Sequence, residues 1–150
     1  MMPGVGQILW KEQAMDDDIK NLKLLSIFHY VVGGLSAVFS SMFLIHLFLG
    51  LSVLISPESW SGGNGESPPQ IFGYIFTFIG ALFFILGITF SCFVIYSGVL
   101  LKKLKKRMFS FIVACIECIF IPFGTVLGVF TIIVLSKESV KQIYDDGIQN

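Results

Sequence analysis

Between Lys23 and Lys102 the chain contains no Lys and no Arg, and the only acids there, Glu58 and Glu66, fall in an interruption rich in Ser, Gly and Pro. That interruption, residues 56–70, separates two apolar runs, 24–55 and 71–101. Each run exceeds the roughly 20 residues that cross a hydrocarbon core, and neither holds two crossings and a turn. Each is therefore expected to be one long crossing, with the excess taken up as tilt or as projection beyond the headgroups. Composition agrees: 55% of the residues are hydrophobic, 13% are charged, and the mean hydropathy is +0.84. Ten basic and ten acidic side chains cancel, so no overall basic field points to a nucleic-acid partner. Three cysteines cannot all pair within one chain, which argues against a secreted disulfide scaffold.

Basic residues set the expected orientation. Lys102, Lys103, Lys105, Lys106 and Arg107 are packed into one short connection, whereas residues 56–70 have no basic residue. By the positive-inside rule the basic connection is cytoplasmic and faces lipid headgroups, and the loop 56–70 is outside. The third apolar run, 108–135, is interrupted by Ile121-Pro122-Phe123-Gly124. Proline removes a backbone donor and glycine permits a turn, so the run reads either as one kinked helix or as a short hairpin. Lys137 and Lys141, just beyond it, favour the hairpin and bring the C-terminus back to the cytoplasm. The expected fold is all-α, a four-helix transmembrane bundle over residues 16–139. Its helices are read at about 18–55, 70–101, 104–121 and 122–139, with the hairpin turning at Pro122 to Gly124. Residues 1–15 are read as a flexible extension, with Met15 an alternative start. Residues 140–150 are read as a short amphipathic cytoplasmic tail, in which Val140, Ile143 and Tyr144 share one helical face.

Helices in lipid associate through close backbone approach, so small residues at regular spacing mark the contact faces. Gly73, Gly80 and Gly87 are seven apart, and Phe76, Phe83 and Phe90 follow each by three. Gly33, with Ser26 and Ser40 at the same period, offers a matching face on the first helix. The expected pairing is antiparallel, with the phenylalanines filling space above the small residues. Gly124 and Gly128 form a GxxxG pair, read as packing within the chain.

Glu117 is the only acid well inside an apolar segment. A charged acid at mid-membrane costs about 2.5–3.5 kcal/mol, so it is expected to be protonated, paired or facing water. Counting rise per residue from the basic boundaries puts Ser36, Thr89, Ser91 and Thr125 at its depth, a polar layer in the membrane. That layer reads either as a proton- or cation-carrying site or as interhelical glue. Cys115 and Cys118 form a CxxC without the strand or the partner cysteines that redox chemistry would use, and small-residue packing is the simpler reading. His29 and His46 are 17 residues apart on one helix, too far to share a metal, and each is read as interfacial. No metal, cofactor or catalytic constellation is expected. The functional expectation is a non-enzymatic protein that acts through contacts with the lipid bilayer, with a membrane-protein partner or with a second copy. A small proton-coupled transporter or channel using Glu117 is the first alternative, and membrane thiol chemistry a distant one.

Two segments carry a resemblance. The run Pro122-Phe123-Gly124-Thr125-Val126-Leu127-Gly128-Val129-Phe130-Thr131-Ile132-Ile133-Val134-Leu135, then Ser139-Val140-Lys141, resembles the ending of a group of small, uncharacterised bacterial inner-membrane proteins. The opening Leu24-Leu25-Ser26-Ile27-Phe28-His29-Tyr30 is similar to theirs as well. The likeness runs from Leu24 to Lys141, apart from the loop 56–70. It implies a multi-pass protein of the bacterial inner membrane and carries no activity.

Overall fold

The computed structural model describes residues 4–61, 67–119 and 123–146. Among these the secondary structure is helical throughout. The elements are α1 (Val5–Ser41), α2 (Phe43–Ile55), a 3-10 turn (Pro57–Trp60), α3 (Gln70–Lys102), α4 (Arg107–Glu117), α5 (Phe123–Ser136) and α6 (Glu138–Asp146). Two helices are long and apolar enough to cross a membrane, the nearly continuous Val5–Ile55 and Gln70–Lys102.

Three boundaries differ from expectation. Residues 5–15 are helical rather than a flexible extension. No Gly or Pro stands between Gly6 and Gly33, so once the helix is formed at its apolar part nothing stops it on the N-terminal side. The helix expected over 18–55 is broken at Met42. Just before the break, Ser40 Oγ donates to Ser36 O (2.8 Å) and Ser41 Oγ to Ala37 O (2.9 Å). Hydroxyls that bond back to the i−4 carbonyl disturb the helical ladder and bend it. Met42 keeps helical dihedrals, and its N–H bonds to Phe39 O, so the chain tightens there without reversing. Finally, the helix expected at 104–121 is only Arg107–Glu117. α3 ends in a Schellman-type cap, in which Lys105 N–H donates to Leu100 O and Leu104 N–H to Leu101 O. The left-handed position, usually a glycine, is Leu104 (φ 52°). A non-glycine residue there is strained by about 1–2 kcal/mol, and the packing of the Leu104 side chain against the buried core offsets that cost.

The chain divides into two compact units, described residues 34–92 and the remainder. In the unit 34–92, the end of α1 and all of α2 run antiparallel to the first part of α3. Ser40 lies against Gly87, Leu47 against Gly80 and Leu54 against Gly73, so the seven-residue spacing is matched on both sides. The glycine heptad is therefore the contact face, but Phe76 and Phe83 do not fill space over small residues of the first helix as expected. The α2 backbone at Leu47 lies over Gly80 and the Leu54 side chain over Gly73, while Phe83 stacks on Phe43 (ring centroids 5.2 Å apart) and Phe76 on the His46 ring (5.9 Å). Those phenylalanines stay partly exposed, because they stand on the same helix as the glycines and meet rings of α2 rather than small residues.

The other unit is built around one face of each of five helices. α1 contributes Leu22, Leu25, Ser26, His29 and Gly33, and α3 contributes Val94, Ser97, Gly98 and Leu101. α4 adds Ser110, Val113, Ala114 and Glu117, and α5 adds Gly124, Leu127, Gly128, Thr131 and Leu135. Gly33 faces Ile95. The remaining contribution is Val140, Ile143 and Tyr144 of α6. That is the face expected from spacing, but it is buried in the protein's own core rather than presented to lipid, because Leu22, Leu25, Leu101 and Leu135 already offer it an apolar seat. α4 and α5 form the expected hairpin. Thr125 Oγ1 donates to Cys118 O (2.9 Å), and Gly128 lies against Ala114 O and the Cys118 Sγ. Gly124 lies within α5 and is buried, so the turn precedes it; Pro122 lies outside the described residues.

Candidate functional site

The largest departure from an apolar interior is a pair of fully buried ionisable side chains, His29 of α1 and Glu117 of α4. Both side chains have no exposed surface, and His29 Nε2 stands 3.4 Å from Glu117 Oε1. That is ion-pair distance, and neither Nε2 nor either Glu117 oxygen completes a hydrogen bond among the described residues. On the other side of the ring, His29 Nδ1 lies 2.9 Å from Leu25 O. A carbonyl can only accept, so Nδ1 must carry the proton of that bond, and Nε2 is the nitrogen turned toward the carboxyl. α3 makes room for the ring by having no side chain at Gly98, where an added Cβ would fall 3.0 Å from His29 Cβ. Ser26 Oγ donates to Gly98 O (2.7 Å) and fixes α1 against α3 one turn before the histidine. Buried hydroxyls of Ser97, Ser110 and Thr131 belong to the same unit and have no protein hydrogen-bond partner among the described residues.

A second buried acid secures the end of this unit. Asp18 of α1 accepts from Lys137 Nζ (2.7 Å), at the α5–α6 junction, and from Ser139 Oγ of α6. Burial alone would push its carboxyl up, but the hydrogen bonds from Lys137 and Ser139 and the Lys137 charge outweigh burial and hold it below the usual carboxylate range. Arg107 Nη1 donates to Leu135 O (3.0 Å) and satisfies a terminal carbonyl of α5. Burial raises the Tyr144 phenol to about 12, so it remains neutral.

The residues expected to form one polar layer are distributed differently. Glu117 and Thr125 belong to the unit just described, while Ser36, Thr89 and Ser91 belong to the unit 34–92. Thr125 is occupied in closing the hairpin, Thr89 is exposed, and Ser91 is buried. The partner of Glu117 is His29, which depth counting had placed at the interface. Counting failed because it assumed helices that are parallel and start level. His29 is six residues, about 9 Å, beyond Lys23, whereas Glu117 is ten, about 15 Å, beyond Arg107. A signal was present in the sequence: His29 lies three residues after Ser26 and four before Gly33, in the middle of the small-residue face. Of the basic cluster, Lys102, Lys103, Lys105 and Lys106 are exposed, and Arg107 is drawn inward by its bond to Leu135. Cys115 is exposed, and Cys118 is half-buried against Gly128.

Among the described residues no three His, Cys, Asp or Glu side chains gather as a metal-binding group. A groove of about 240 Å³ in the unit 34–92 is lined by the apolar and aromatic residues Leu49, Gly50, Val53, Trp60, Phe72 and Phe76. No protein family, curated protein or solved structure matches the chain.

Proposed function

We propose that the chain is a multi-pass protein of the bacterial inner membrane that catalyses no reaction and acts through contacts with lipid and with a membrane-protein partner or a second copy. The observation that carries this reading is the state of Glu117, which is sealed between helices with no exposed surface. A transport path would bring water to that carboxyl. The outer surface supports the lipid part: Val38, Phe48, Phe78 and Ile85 are each more than 60% exposed, and only 11% and 17% of the most apolar windows of the two long helices are buried. In water such a surface would be an aggregation liability. α4 and α5, at 11 and 14 residues, are about 16 and 21 Å long, short of the roughly 30 Å core. In this reading they form the third and fourth helices of the bundle, entering from the cytoplasmic side and returning part way, with both termini cytoplasmic. The bacterial assignment rests on the resemblance of the two segments given above.

Labelling with a membrane-impermeant thiol reagent in a cysteine-free background tests the arrangement. Ser59→Cys should react in intact cells, Lys103→Cys and Asp145→Cys only after permeabilisation, and Ile119→Cys, at the lipid-embedded tip, in neither case. Reaction of Asp145→Cys from outside rejects the topology, and reaction of Ile119→Cys from outside turns the partial hairpin into a full one. The buried His29–Glu117 pair favours a second reading, proton-coupled transport. That reading gains if a pH gradient drives flux into reconstituted vesicles and Glu117→Gln abolishes it.

A further inference from the structure

We infer that His29 and Glu117 form a one-proton binding site: a single exchangeable proton, held between the imidazole Nε2 and the Glu117 carboxyl, is what joins α1 to α4. This goes beyond the functional reading above and does not depend on the bilayer. Leu25 O, as an acceptor, keeps the Nδ1 proton in place, so only Nε2 and the carboxyl exchange protons with their surroundings. With no proton between them, an imidazole lone pair faces a carboxylate at 3.4 Å and a net negative charge is buried. With two protons, a net positive charge is buried. With one proton the pair is neutral as a unit, whether the proton resides on Glu117 as an acid donating to Nε2 or on His29 as an imidazolium donating to the carboxylate. Both side chains are fully buried, so water cannot stabilise either charged alternative.

No neighbouring group supplies the missing charge. α5 has no ionisable side chain anywhere in its length, and those of α3, namely Tyr74, Cys92, Tyr96 and Lys102, are exposed. On α4, Arg107 is engaged by Leu135 O and Cys115 is exposed. On α1, Asp18 is neutralised by Lys137, Asp16, Asp17, Lys20, Lys23 and Tyr30 are exposed, and no ionisable group lies between Tyr30 and the exposed His46 of α2. On α6, Glu138 pairs with Lys141, Asp145 is exposed and Tyr144 is neutral. Cys118, half-buried beside Gly128, is a neutral thiol neighbour at most. Gain or loss of the proton is therefore a local event that converts a neutral contact into a buried charge and loosens α4 from α1.

The test uses the full chain in mild detergent with His46→Gln, which leaves His29 as the one histidine. Nitrogen-15 spectra of the imidazole report its tautomer and charge, and infrared difference spectra against Glu117→Gln report the carboxyl. At pH 7 the expected result is an Nδ1–H imidazole with one of two combinations: neutral ring with carboxylic acid, or imidazolium with carboxylate. A neutral ring beside a carboxylate, an imidazolium beside a carboxylic acid, or an Nε2–H tautomer overturns the proposal. A second measurement follows thermal stability against pH. The parent protein should lose stability at both extremes, Glu117→Gln should remove only the part of the alkaline limb due to the pair, leaving that of Tyr144, and His29→Gln should remove the part of the acid limb due to the pair. Unchanged limbs in both variants overturn the switch. If either variant fails to fold, the spectra of the parent protein still decide the proton count.

Discussion

A methyl group at Gly80 measures how closely α2 and α3 approach. An added Cβ would lie 2.5 Å from Leu47 N, 2.9 Å from Leu47 Cα and 3.0 Å from Phe43 O, against an ordinary contact of 3.4–4 Å. All three atoms are backbone, so no rotamer change relieves the clash and the helices must part by about 1 Å. Such overpacking costs about 1–3 kcal/mol. Replacing Gly by Ala in a helix interior gains about 0.8–1.0 kcal/mol in propensity, which partly masks the cost. Gly34→Ala supplies the control, because Gly34 is helical, exposed and has nothing within 4 Å of its added Cβ. Gly34→Ala should therefore stabilise and Gly80→Ala destabilise, with a difference of about 1–3 kcal/mol between them that isolates the contact. Reversible unfolding in mixed detergent reads both variants. Gly80→Leu should cost more than Gly80→Ala, and Ile79→Leu, one residue away and partly exposed, should be close to neutral. Equal, stabilising effects of the two alanines would refute the close approach and with it the register that matches Leu47 to Gly80.

Gly128→Val should destabilise by about 1–3 kcal/mol, because its Cβ would meet Ala114 O and come within 2.7 Å of the Cys118 Sγ, whereas Val126→Leu on the exposed side of α5 should leave the unfolding midpoint unchanged. The Asp18 carboxyl is held below its ordinary value of 3.8, so it contributes stability that is fully present above that value and is lost as pH falls through the lower folded one. Asp18→Asn should therefore weaken the protein at neutral pH and flatten the acid end of its stability profile, and an acid limb unchanged in that variant would show that the contact with Lys137 and Ser139 contributes nothing.

The sequence by itself determined the coarse properties that depend on neighbours along the chain. Apolar run lengths dictated the long helices, the polar stretch 56–70 separated them, and Gly73, Gly80 and Gly87 marked the face on which α3 would be approached. The spacing of Val140, Ile143 and Tyr144 likewise defined an apolar face, though not what would cover it. Partners across helices were a different matter. The Leu47 backbone and the Leu54 side chain lie over the glycines, and Phe76 and Phe83 meet rings of α2, because the level of each contact is set by two helices at once. α6 turns its apolar face inward because four leucines from α1, α3 and α5 converge where it ends up, and no local pattern contains that convergence. His29 meets Glu117 for the same reason. Each residue's helical face follows from its own helix, but the level at which two faces meet depends on tilt and on connections such as the left-handed Leu104, which only the packing of the whole unit decides.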